Sequence, residues 1–167
     1  MMKKYLRMHA VFSRGRRYRY MLRRRISKGN KVLLIIGLNP STADGTKDDP
    51  TIRRCAGFAE RMGYDTLIVA NLFALRSTDP HKLRQTEQPI GSLNDVWIVR
   101  VARKAHKIVL AWGAGADWAP ERSDQLLALL AHHDLYCFGT TQSGAPRHPL
   151  YLRSDTELQR YRNEFST

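Results

Sequence analysis

The run Val32-Leu33-Leu34-Ile35-Ile36 constrains this chain more than any other feature. Five consecutive apolar residues leave no face for water, so they fit a strand covered on both sides, as in parallel sheets. Directly after it comes Gly37 to Asp44, reading GLNPSTAD. Gly37 can reach backbone conformations closed to other residues, Pro40 holds one φ angle, and Asn39, Ser41, Thr42 and Asp44 crowd short polar side chains together. Taken alone, the loop has two readings. It is either a strand-to-helix connection whose polar residues cap, or a site with orientable donors and acceptors.

The unit recurs along the chain. Asp49 before Pro50 matches a helix cap followed by proline in the first turn, and Thr51 to Met62 then places Ile52, Cys55, Phe58, Ala59 and Met62 near helical spacing. Gly63 ends that helix. Leu67 to Ala70 reads as a second strand that delivers Asn71, Leu72 and Phe73; Ile108 to Trp112 as a third, ending in Gly113 and Gly115; Leu135 to Phe138 as a fourth, running into Gly139 to Pro149. Between them, Ser92 opens a helix to about Ala105, with Leu93, Val96, Trp97, Val101 and Ala102 inward, and Ser123 caps another over Asp124 to His132. Ser77 to Gln88 is a surface loop with room for one helical turn. Alternating strands and helices imply an α/β fold, a parallel sheet with helices on both faces, whose ligands bind beyond the carboxyl ends of the strands. Asn39, Asn71 and His148 should therefore meet in one cleft. The glycines of GAGADW fall short of a dinucleotide fingerprint: the third is missing, and no acidic residue stands about twenty positions on at the end of a second strand.

Charge separates the chain into parts. Met1 to Lys31 holds 12 Lys or Arg and no acid, leaving 16 basic against 15 acidic residues in the remainder. Tyr5, Phe12, Tyr18 and Tyr20 interleave with Arg14, Arg16, Arg17, Arg19, Arg23, Arg24 and Arg25, a mixture suited to phosphates and stacked bases. The alternative is a solvated cationic face. Tyr5 to Ser13 and Arg16 to Ile26 read as a β-hairpin, with Tyr18, Tyr20 and Leu22 on one face and Arg17, Arg19 and Arg23 on the other. A length of 167 residues suits one domain, divided into a basic hairpin or arm (1–31), a core (32–152) and a polar C-terminal segment (153–167). No run of eighteen apolar residues occurs and the basic start lacks a signal-peptide apolar region, so a cytoplasmic protein without membrane contact is expected. Cys55 and Cys137 lie far apart without a CxxC motif, and the histidines lack metal-ligand spacing; no metal or redox centre is expected.

The segments GLNPSTAD, DDPTIRRCAGFA, NLFALRSTDP, AWG and GAPRHPLYL resemble the bacterial and phage family known as the domain of unknown function numbered 1643, over roughly Tyr18 to Leu152. More distantly, GLNPS and HPLYL resemble the uracil-DNA glycosylase superfamily, in particular the mismatch-specific uracil and thymine glycosylases, whose first motif reads G-[IL]-N-P-G and whose last begins H-P-S or N-P-S. That likeness implies a three-layer α/β/α fold with a four-stranded, mainly parallel sheet, a pocket for an extruded base, cleavage of the N-glycosidic bond, and no cofactor. Asn39 would then position the attacking water, His148 would donate a hydrogen bond to the departing base, and Asn71 would read a pyrimidine edge. The backbone at Ser41 and Thr42 would bind base or phosphate, with Gly37, Leu38, Pro40 and Phe73 completing the substrate contacts and Arg147 joining the hairpin arginines on nucleic acid. Ser41 stands where the glycosylase motif has Gly, and Leu150 where it has Ser. Asp44, Asp48 and Asp49 supply carboxylates that motif does not require; Asp49 fits a cap, Asp48 a solvated loop acid, and Asp44 is the candidate base.

Three functions follow from these features. The first is a DNA-binding, base-excising protein, whose basic segment offsets the cost of extruding a base. The second is a non-catalytic nucleic-acid-binding module of the same fold, and the third an enzyme on free nucleotides or nucleosides. No protein partner is inferable.

Overall fold

The computed structural model describes residues 4–161. Within them lies one mixed sheet of seven strands: β1 Arg7–Phe12, β2 Arg19–Arg25, β3 Val32–Gly37, β4 Thr66–Asn71, β5 Lys107–Leu110, β6 Leu135–Cys137 and β7 Gln159–Arg160, ordered β1-β2-β4-β3-β5-β6-β7. The strands β4, β3, β5 and β6 pair in parallel, whereas β1 with β2, β2 with β4, and β6 with β7 are antiparallel. A sheet of seven strands replaces the expected four because the two segments read as appendages pair with its edges. The hairpin docks through β2 onto β4, and the polar C-terminal segment supplies β7.

Four helices connect the strands: α1 Pro50–Arg61, α2 His81–Gln85, α3 Asn94–Ala102 and α4 Pro120–Leu129. Leu33, Ile35, Leu67 and Val69 pack on one side with Ile52, Cys55, Phe58 and Ala59 of α1; Leu34, Ile36, Ile68 and Ala70 pack on the other with Ile98 and Val101 of α3 and Leu126 and Leu127 of α4. Alternate residues of β3 thus feed two cores, which is why its sequence shows no polar face. Asp49 caps α1 by accepting a hydrogen bond from the Ile52 amide at 2.9 Å, and Gly63, at φ +76°, ends the helix from the left-handed region. Ser123 is not the cap of α4. That helix starts at Pro120, whose fixed φ suits the first helical position, with Ala119 before it. No helix among the described residues is long and apolar enough to cross a membrane.

The hairpin is not an arm. Arg19 is 2% exposed and Arg24 fully buried. A bulge explains why the expected division of faces fails: the register shifts between Val11 and Phe12, so that Val11 faces Met21, Phe12 faces Arg19, and Tyr20 is left as the extra residue. Tyr20 then stacks beside Tyr18 on the α3 side and Met21 joins the same core, while Arg19, Leu22 and Arg24 all turn toward the α1 side. Arg24 donates from Nε to Asp48 at 2.8 Å and from Nη2 to the carbonyls of Asp44 and Lys47 at 2.6 and 2.9 Å; Arg19 donates from Nη1 to the Ala43 carbonyl at 2.8 Å. Two arginines of the basic segment therefore brace the loop that follows β3.

Candidate functional site

All four parallel strands end at one cleft of about 650 Å³. The segment after β3 brings Leu38, Asn39 and Ser41; the segment after β4 brings Ser77, Thr78 and Pro80; Trp112 to Gly115 follow β5; and Thr141, Arg147, His148, Leu150, Tyr151 and Leu152 follow β6. Thr51, at the start of α1, completes the lining. The edge is the one an open parallel sheet presents to ligands.

Backbone bonds fasten the first two loops together. The Leu72 amide donates to Gly37 at 2.9 Å, Phe73 to Leu38 at 3.0 Å and Ser77 to Pro40 at 2.9 Å. Between these loops the Asn39 amide nitrogen donates to the Pro40 and Ser77 carbonyls at 3.0 Å each, with the Leu75 carbonyl at 3.5 Å. Three carbonyls around one end of the carboxamide fix which end is nitrogen, so Oδ1 is left as an acceptor with no partner among the described residues.

His148 lines the same cleft. Its Nδ1 accepts a hydrogen bond from the Leu150 amide at 3.2 Å, which leaves the ring proton on Nε2. Burial holds its pKa below the ordinary imidazole value, against the opposing pull of Asp49. The site therefore holds a neutral imidazole with one N–H to donate. Gly113 makes room for it: its amide donates to Pro146 at 2.7 Å, its φ is +67°, and a Cβ there would lie 3.2 Å from that of His148. The glycines of this segment serve close packing.

A chamber of about 40 Å³ adjoins the cleft and shares Leu38, Asn39, Ser41, Thr51 and His148 with it. Gly37, Asn71, Arg19, Asp49 and Cys55 also line the chamber, together with apolar residues of the sheet and α1 such as Ile35, Val69 and Ile52. Asn71 is 4% exposed, its Nδ2 has no protein partner, and a Cβ on Gly37 would lie 3.0 Å from its Oδ1. Asn94, itself buried, donates to the Asn71 and Leu72 carbonyls at 2.9 and 3.1 Å and holds the end of β4 in place. Arg19 Nε is likewise buried without a partner. A buried donor left unmade costs about 1–3 kcal/mol, and two such donors lie beneath this edge of the sheet. Burial lowers the Arg19 pKa to about 10 and raises the Cys55 thiol to about 12, so at neutral pH the arginine is charged and the thiol inert.

Not every expected residue arrives here. Asp44 lines neither space: its Oδ1 accepts from the Thr46 and Lys47 amides at 2.8 and 2.9 Å and from the Thr46 hydroxyl at 3.0 Å, contacts that lower its pKa and make it a loop brace. Phe73 is 1% exposed and packs on Trp118, with ring centres 5.3 Å apart. Pro40 is buried beneath the loop, and Thr42 is exposed outside the cleft. Asp49 spends one oxygen on its cap and the other on the Ala43 amide at 3.2 Å. Among the described residues, no cluster of three or more His, Cys, Asp or Glu is arranged to hold a metal.

Of the candidate phosphate contacts, Arg14, Arg16 and Arg17 are exposed at the hairpin tip, Arg23 and Arg25 are half-buried along β2, and Arg147 is exposed at the cleft, its Nε bonded to the Thr140 carbonyl at 3.1 Å. Arg76 joins them, although no sequence pattern singles it out. Its guanidinium lies 4.9 Å from the Phe12 ring centre while that of Arg16 lies 4.1 Å away, and its Nη1 bonds the Arg16 carbonyl at 3.2 Å. Because Ser77 and Thr78 line the cleft, this contact sets the cationic tip beside its rim. Tyr151, 85% exposed, stands at the same mouth, its ring 5.8 Å from that of His148. Neither Arg76 nor Tyr151 carries a sequence signal, because each is one polar or aromatic residue in a loop with no spacing to mark it.

No curated protein and no solved structure matches this chain. A family match does cover residues 19–150, from Arg19 of the chamber to Leu150 of the cleft, and the chain belongs to the family described as "Protein of unknown function (DUF1643)".

Proposed function

We propose that the protein binds an extruded nucleobase of DNA in the cleft and hydrolyses its N-glycosidic bond, on a glycosylase-like three-layer arrangement of the four parallel strands. The observation that carries this reading is that Asn39 and His148 line one cleft, the first with its amide nitrogen spent on carbonyls and its oxygen left to accept, the second with Nδ1 spent on the Leu150 amide and Nε2–H left to donate. Asn39 Oδ1 accepts a hydrogen bond from water and aims its oxygen at the sugar C1′. As the C–O bond forms and the C1′–N bond breaks, the bonding pair leaves on the base, and the Nε2–H of His148 donates to the oxygen where that charge collects. The proton released by the water passes to solvent. Arg14, Arg16, Arg17 and Arg147 hold phosphates on either side, a sequence-independent and salt-sensitive contribution. Tyr151 offers a face on which a base can stack.

One observation favours the non-catalytic alternative. No carboxylate lining the cleft or chamber has a free oxygen, since Asp49 caps α1 and bonds Ala43. Oligonucleotides carrying uracil, a thymine mismatch, hypoxanthine or a modified base, assayed for abasic sites, separate the readings. Excision lost in Asn39→Ala and His148→Ala supports hydrolysis. Absence of abasic product together with binding that falls steeply with salt supports the binding module, and activity on nucleosides but not polymers supports the third reading.

A further inference from the structure

We infer that a groove between α1 and the segment around Ser154, remote from the basic hairpin in sequence, is a second phosphate track, which takes the backbone of the strand whose base enters the cleft. This rests on the reading of the cleft as a nucleic-acid site. The groove holds about 240 Å³ and is lined by Arg53, Arg54 and Arg61 together with Gly57, Phe58 and Ser154, and by no acidic residue. Positions 54, 57, 58 and 61 recur at three and four residues, so they share one face of the helix.

The cations are held in place before any ligand arrives. Arg53 donates to the Asp48 carbonyl at 3.2 Å, Arg61 to the Thr156 carbonyl and to Glu157, the latter at 3.0 Å, and the guanidiniums of Arg54 and Arg61 stand 5.5 and 5.7 Å from the Phe58 ring centre. Glu157 offsets one charge; Arg54 forms no ion pair with any described residue. Gly57 adds an independent mark. A glycine inside a helix is less stable there than alanine, and no packing demands this one: a Cβ would meet no atom within 4 Å among the described residues. A solvated cationic face has no use for that gap, whereas a ligand lying along the helix does. Phe58, 2% exposed, offers no face for a base to stack on, so the groove suits a row of phosphates.

The groove adjoins the cleft through two segments. Thr51 lines the cleft one turn before Arg54, a rise of about 4.5 Å, and Leu152 lines it two residues before Ser154. From Thr51 to Arg61 the helix advances about 15 Å, roughly four nucleotides of a stacked strand. The hairpin tip, beside Ser77 and Thr78, serves a different stretch of the rim.

Fluorescence anisotropy with a single-stranded oligonucleotide of about 15 nucleotides, over a range of salt, is the test. Arg54→Gln is expected to lower the slope of log binding against log salt by about 0.7 and to weaken binding about fivefold at 0.1 M salt, the scale of one phosphate contact. Gly57→Leu fills the gap without touching charge. It is expected to leave the urea midpoint unchanged or higher and still to weaken binding. Arg103→Gln, an equal charge change at the end of α3 on the other side of the sheet, is expected to alter neither. Wild-type binding in Gly57→Leu, an effect of Arg103→Gln equal to that of Arg54→Gln, or tighter Arg54-dependent binding of polyglutamate than of the oligonucleotide overturns the inference. Abasic-site assays on the same preparations keep the two proposals apart. Binding that depends on Arg54 and Gly57 without abasic product sinks hydrolysis alone, while excision with KM unchanged in both variants sinks this inference alone.

Discussion

The tip and the stem of the N-terminal hairpin share a composition and differ in almost everything else. At the tip, Arg14, Arg16 and Arg17 are exposed, and Arg16 spreads over the Phe12 ring at 4.1 Å. In the stem, Arg19 and Arg24 lie inside the protein and donate to backbone carbonyls and to Asp48. A run of arginines is thus not one functional unit. A cation that a strand carries over the interior must find acceptors there, and here it finds them in the loop from Ala43 to Asp48. A cation at the turn keeps its water and stays open to a phosphate, even where, as for Arg16, a loop carboxylate lies 3.9 Å away.

Arg24→Ala puts this contrast to its hardest test. It leaves Asp48 beside the core without its cation, with the Tyr5 hydroxyl on its other oxygen, and takes the arginine donor from the Asp44 carbonyl, and a loss of about 3–5 kcal/mol is expected in urea denaturation, because one partner of a buried pair is removed. If the loss is no greater than for a tip arginine, stem and tip are not different in kind. Next in size is His148→Ala, for which excision should fall about 100-fold with the fold intact, the lower range for removing one donor to developing charge. Full activity in that variant would detach the cleft from the chemistry. Replacing Arg14, Arg16 and Arg17 together by Ala should leave the urea midpoint where it is while lowering the slope of log binding against log salt by about 0.9 for each phosphate no longer neutralised. An unchanged slope would make the tip a solvated face. The smallest effect concerns pH. Because burial depresses the His148 pKa, the folded protein binds fewer protons than the unfolded chain as pH drops below about 6.5. The stability associated with the neutral ring is complete above that pH and is lost as pH falls through the depressed value, and His148→Gln should flatten that slope in denaturation curves.

Much of the scaffold was legible. Each of the apolar runs at Val32, Leu67, Ile108 and Leu135 became a parallel strand, because burial on both faces leaves a compositional signature that needs no tertiary knowledge. Asp49 and Pro50 marked the start of α1 for an equally local reason. Asn39 and His148 could be placed at one edge from topology, since every parallel strand ends on the same side. What escaped reading were the outer strands. β7 is Gln159–Arg160, two polar residues whose pairing with β6 rests on backbone bonds, and those are independent of side-chain pattern. Asp44 looked like a base because it is a carboxylate near a motif, but the short turn to Lys47 folds its oxygen back onto its own loop.

Hydrophobic pattern and chain direction, both written in the sequence, set the periodic elements, the edge at which their loops gather and the residues with chemistry to offer there. Which cations face water and which face the chamber was settled in three dimensions alone. That choice turns on one β-bulge at Tyr20, which shifts the phase of β2 and carries Arg19 to the side of α1 and the first loop. A single extra residue inverts every face beyond it, and no local pattern announces where it will be inserted.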